Sequence, residues 1–105
     1  MKIEFVQPDG RRHCAELAAD ENVMTCAKRE MVPGIIGECG GAMMCGTCHV
    51  YVADGKFDLL AGPSSQEKDL LSGCVDPRVN SRLGCQISAD DKVDELTLLV
   101  PKAQV

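Results

Sequence analysis

No stretch of this chain approaches the ~20 consecutive apolar residues needed to cross a bilayer, so no membrane span is expected. The N-terminus lacks a basic region followed by an apolar core. No export signal is therefore visible, and a cytoplasmic home is expected. Bases are in short supply, with eleven Lys and Arg against sixteen Asp and Glu and a net charge of −5. That deficit argues against nucleic acid, whose phosphates demand a basic face. It fits a protein steered toward basic partners. There is no tryptophan, no internal repeat, no linker and no low-complexity segment. Without a break in composition, residues 1–105 are expected to form one domain, small but in the range that folds alone. Apolar residues at 45% are ordinary for a globular chain and exclude disorder.

Cysteine is what the chain has in quantity. Seven of them cannot complete a disulfide set, and a reducing compartment disfavours disulfides in any case. Three stand together in Cys39-GGAMM-Cys45-GT-Cys48, on a glycine-rich loop. The fourth, Cys85, lies in a distant segment and can join them only through the tertiary fold. Four thiolates in a three-plus-one arrangement suit a two-iron, two-sulfide cluster, each iron taking two cysteines. Zinc is the rival reading, but it normally uses two Cys-x-x-Cys knuckles, and only Cys45 and Cys48 form one here. A thiol–disulfide oxidoreductase built on Cys45-Gly-Thr-Cys48 is weaker, because that motif would normally open a helix beside a βαβ unit. Cys14, Cys26 and Cys74 remain, and none is expected to bind iron. Cys14 in a strand and Cys26 in a helix are expected to be buried as small hydrophobes. Cys74, after Ser72-Gly73, is in loop-like sequence and is expected to be exposed.

Periodicity places the elements. Ile3 and Phe5 alternate with Lys2 and Glu4, predicting a strand over 2–7. Pro8-Asp9-Gly10 turns the chain into a second strand over 12–17. Asn22 caps a predicted helix over 23–31, with Met24, Ala27 and Met31 on one face, and Pro33-Gly34 stops it. A strand is predicted from His49 to Ala53. Ser64-Ser65-Gln66-Glu67 has the form of a capping box, opening a short helix that carries Leu70 and Leu71 inward. Strands at 85–88 and 96–100 complete an α+β arrangement.

The run ECGGAMMCGTCHVYV, with RLGCQI downstream, resembles the adrenodoxin and putidaredoxin type of 2Fe–2S ferredoxin. The likeness extends from IEFVQPDG through VPGI to VDELTLLVP, and it points to the bacterial cytochrome P-450 redox-partner branch. Five residues separate the first two cysteines, where the plant-type pattern has four. The resemblance implies the β-grasp (ubiquitin-like) fold, a mixed sheet with a main helix and a short acidic helix. It implies one 2Fe–2S cluster on Cys39, Cys45, Cys48 and Cys85. The implied function is one-electron transfer, not enzymatic catalysis. The electron would pass from an NAD(P)H-dependent flavoprotein ferredoxin reductase to a cytochrome P-450 monooxygenase or another oxygenase. Donation to iron–sulfur cluster assembly is the alternative, and a monomer is the default for a small carrier.

Around the cluster, Gly40, Gly41 and Gly46 let backbone N–H groups turn toward sulfur, and Thr47 offers a hydroxyl. His49 is expected to bond locally and brace the loop. It is not expected to ligate, because Rieske centres need paired Cys-x-His motifs. Two departures from the family stand out: Gly84 where relatives often carry Ser, and Met43 and Met44 in the loop. For docking, the resemblance points to Glu38 before the first ligand and to Glu67, Asp69 and Asp76 on and after the short helix. Met44 offers an adaptable contact. The chain ends Lys102-Ala103-Gln104-Val105, so the aromatic anchor that closes some relatives is not expected.

Overall fold

A computed structural model describes residues 1–35, 48–53, 55, 60, 62–74, 76–88 and 94–102. Strands β1 (Lys2–Val6) and β2 (Arg12–Glu16) form the first hairpin, and helix α1 spans Val23–Arg29. Strand β3 (His49–Val52), helix α2 (Ser65–Ser72), strand β4 (Ser81–Leu83), a 3-10 turn (Gly84–Gln86) and strand β5 (Glu95–Leu99) follow. The sheet order is β2-β1-β5-β3-β4, with β1 and β5 parallel and the other pairs antiparallel. The mixed sheet with two helices is the α+β fold the resemblance implies.

The period-2 pattern of β1 sends Ile3 and Phe5 into the core, where they face Leu96 and Leu98 of β5 in register. Val23, Met24, Cys26 and Ala27 of α1 pack on the same cluster. The Asn22 side chain caps α1 by accepting from Thr25 N–H at 2.8 Å, as its residue type predicts. Gly34 follows with φ +89°, and a Cβ there would meet Val100 Cγ1 at 2.6 Å. Only glycine serves at that crossing. Among the described residues, no helix is long and apolar enough to cross a membrane.

Four expectations are corrected. Met31 does not join the buried face of α1. The helix ends at Arg29, Met31 turns to φ 57°, its side chain is 84% exposed, and Val32 fills the core in its place. Cys14 is exposed, because it pairs across from Glu4 in the register of the solvent-facing positions. The strand expected at 85–88 is shorter and earlier: Ser81–Leu83 pairs with β3, and the chain then coils through the 3-10 turn. Only half of the capping box forms. Ser64 Oγ accepts from Glu67 N–H at 3.1 Å, but the Glu67 side chain turns inward instead of back to the cap.

That inward carboxylate organises one end of the molecule. Glu67 is 1% exposed and Arg82 of β4 is 3% exposed. Arg82 Nε donates to Glu67 Oε2 at 2.7 Å and Nη2 to Oε1 at 3.2 Å, while Leu83 N–H donates to Oε2 at 3.0 Å. A buried pair of this kind stabilises little relative to an apolar replacement, but removing one partner costs about 3–5 kcal/mol. Glu67→Ala is therefore expected to lower the melting temperature by more than about 10 °C, at 4–8 °C per kcal/mol for a domain of this size. Exposed Asp69→Ala should stay within about 0.5 kcal/mol of the parent. Equal melting temperatures for the two variants would refute the structural role of Glu67.

Candidate metal centre

Two of the four expected ligands lie in the described residues, and the sheet brings them together. Cys48 immediately precedes β3, and Cys85 sits in the turn that immediately follows β4. The strands are antiparallel neighbours with His49 opposite Leu83. Gly84 N–H donates to the Cys48 carbonyl at 2.8 Å, so the two ligand segments are pinned backbone to backbone. Both cysteines are buried.

Gly84 sits where three segments converge. A Cβ there would come within 3.2 Å of Cys48 O and 3.3 Å of Met24 N. Val23 N–H donates to Ile87 O at 2.8 Å, and Asn22 bridges Ser88, so the start of α1 holds the far side of the Cys85 turn. The serine expected from relatives would crowd this junction unless its neighbours shifted by a few tenths of an ångström.

Sequence reasoning missed Gln86, whose side-chain Nε2 donates to Cys85 Sγ at 3.4 Å. An N–H directed at a ligand sulfur stabilises its negative charge and raises the potential of a bound cluster. The run RLGCQI contained the residue, but nothing in the run showed which way its amide points.

His49 is fully buried, and its Nε2 lies 2.8 Å from Ser81 Oγ. Ser81 Oγ also accepts from Arg78 N–H at 2.8 Å. The imidazole meets the Tyr51 ring edge-on at 4.8 Å. Burial pushes the His49 pKa below its ordinary value, opposed by the Asp76 carboxylate and aided by Arg78. Local bonding of His49 is thus present, directed to β4.

Cys39, Cys45, Glu38, Gly40, Gly41, Met44, Gly46 and Thr47 lie outside the described residues. Among the described residues, no group of three or more metal-binding side chains is assembled. Of the expected docking acids, Asp69 and Asp76 are exposed, and Asp76 is paired with Arg78 at 3.0 Å. Glu67 is the correction: a carboxylate sealed against Arg82 cannot meet a partner.

The donor set fits an iron–sulfur cluster, with two buried sulfurs on adjacent strand ends and an amide N–H aimed at one of them. Gln86→Leu is expected to make the reduction potential more negative by roughly 20–60 mV, about 0.5–1.5 kcal/mol for a neutral hydrogen bond in a one-electron couple. Redox titration of the holo-protein reads this shift. An unchanged or more positive potential would remove Gln86 from the tuning of the site.

Comparison with known proteins supplies the family. The 2Fe-2S iron-sulfur cluster binding domain matches residues 6–90. Rhodocoxin of Rhodococcus erythropolis is 40% identical over 104 residues, covering 98% of this chain and 97% of that protein. Putidaredoxin of Pseudomonas putida is 34% identical over 105 residues, covering 98% and 97%. The crystal structure of a ferredoxin from Rhodopseudomonas palustris HaA2 superposes with a TM-score of 0.94 at 39% identity, over 100% of both chains. Putidaredoxin in its covalent complex with putidaredoxin reductase superposes with a TM-score of 0.90 at 32% identity, covering 96% of this chain and 98% of that one. With its mixed sheet and these relatives in agreement, the chain belongs to the adrenodoxin and putidaredoxin-type 2Fe–2S ferredoxins, electron carriers that hold one 2Fe–2S cluster.

Proposed function

We propose that this ferredoxin carries single electrons in the cytoplasm, as a monomer, from an NAD(P)H-dependent flavoprotein reductase to a cytochrome P-450 monooxygenase. The whole chain, 1–105, acts as one cluster-binding domain, and Cys39, Cys45, Cys48 and Cys85 hold the cluster. The observation that carries the reading is the pinning of Cys48 to the Cys85 turn at the buried ends of β3 and β4. The reductase step is supported by the likeness to putidaredoxin, which has been seen bound to putidaredoxin reductase.

When bound, the cluster supplies a one-electron couple. The chain's own residues bury two of the sulfurs, donate an amide N–H to one, and bury an imidazole on the strand that follows Cys48. Glu38 and Asp69 are the acids we assign to partner contact.

The reading is tested by reconstitution with a flavoprotein reductase and a P-450 from the same source. NAD(P)H should drive P-450 reduction only when the holo-ferredoxin is present, and the rate should fall as salt rises. Absence of P-450 reduction, alongside efficient support of cluster building by a cysteine desulfurase and scaffold, would transfer the chain to cluster assembly. Replacing Cys48 or Cys85 by Ser should abolish the visible absorption of the native cluster, whereas Cys14→Ser should leave it intact. Retention of the parent spectrum in Cys85→Ser would overturn the ligand assignment.

A further inference from the structure

Between α2 and the loop entering β4 lies a hollow of about 400 Å3, lined by Pro63, Lys68, Leu71, Arg78, Val79 and Ser81. The chain carries a net charge of −5, yet the described residues of this lining include two cations and no carboxylate. Val79 at its rim is 96% exposed. A single open apolar side chain is unremarkable on any surface. One set beside Pro63, Leu71 and two cations forms a mixed patch with the chemistry of a protein contact, in which apolar area gives affinity and charge gives register.

Arg78 is held in place for such a contact. Its guanidinium carbon stands 4.4 Å from the centre of the Tyr51 ring, and Nη2 donates to Asp76 at 3.0 Å. Pre-ordering reduces the entropy lost on binding. Asp76 offsets part of the Arg78 charge, so the positive character of the hollow depends on Lys68 as well. The hollow also lies close to the redox site. Ser81, on its wall, is 2.8 Å from His49 Nε2, and His49 directly follows Cys48.

We propose that the Lys68–Arg78–Val79 hollow receives an acidic, apolar-tipped patch on an electron-transfer partner protein. This rests on the carrier reading above and adds a contact opposite in sign to Asp69. Charge complementarity of opposite sign at two points fixes a partner's register.

The test uses the nitrogen-15-labelled holo-protein and hexacyanochromate(III), a paramagnetic trianion, at low ionic strength. The amide signals of Lys68, Leu71 and Val79 should broaden first. Lys68→Glu combined with Arg78→Glu should weaken that binding about tenfold, with the visible spectrum of the cluster unchanged as the control for folding. Broadening centred elsewhere, or insensitive to the double variant, would overturn the proposal. A capped peptide of aspartate and leucine should displace the trianion at lower concentration than an all-aspartate peptide of equal charge. Displacement by pyrophosphate as readily as by the mixed peptide would mark a site for free anions, which also overturns it. Chromate binding at the hollow without P-450 reduction would keep the surface and remove the pathway. P-450 reduction without chromate binding there would do the reverse.

Discussion

A carboxylate and a guanidinium sealed from water hold α2 against the strand that delivers Cys85. Removing two charges from water is expensive, and their attraction offsets it only when the remaining hydrogen-bonding capacity is met. Here Glu67 accepts two N–H bonds from Arg82 and one from the Leu83 backbone. The backbone bond is the important one for the site. It fixes the main chain two residues before Cys85, in a strand only three residues long that has little pairing of its own. A well-packed apolar pair could stabilise α2 as effectively, but it could not grip a backbone N–H.

From that grip the rest of the site follows. β4 pairs with β3, which sets His49 opposite Leu83 and leaves Gly84 free to donate to the Cys48 carbonyl. All four residues of β3 are buried. Val52 faces the core through its pairing with Leu98, while His49 and Tyr51 alternate to the other face. There the loop before β4 covers them, with Tyr51 Oη donating to Asp76 O at 2.6 Å and Ser81 meeting His49. A strand enclosed on both faces sits in a low-dielectric setting, where each directed donor counts for more than it would in water.

Much of this was legible in the sequence, and the failures have physical causes. Alternation at Ile3 and Phe5 and the cap at Asn22 are local signals, and both hold. Cys14 keeps phase with Arg12 and Glu16, the polar face of its strand, and that phase overrides its chemistry as a small hydrophobe. Met31 fits the helical period, but the chain leaves the helix before reaching it, and a turn to positive φ carries no clear signature at a methionine. Glu67 is the deeper case. In a helix-opening Ser-x-x-Glu, a capping acid, a docking acid and a buried acid are written identically. Its partner Arg82 lies across the fold on a strand too short for periodicity to reveal. The cysteine spacing and the run around it were enough to identify the cofactor. Gln86 was not identifiable, because a donor to sulfur is defined by the reach of one side chain.

Burying Glu67 also changes what the molecule can show a partner. With that charge withdrawn, the described solvent face of α2 carries Lys68 and Asp69, one charge of each sign. The next charged pair, Asp76 and Arg78, is likewise balanced. Among the described residues, the exposed charges on α2 and the loop before β4 are thus of both signs. Long-range attraction from the net charge can still gather a basic partner. The final orientation must come from short-range complementarity, which salt screens far less. Insulation and recognition are therefore linked in this fold: the acid that secures Cys85 is one that docking cannot use.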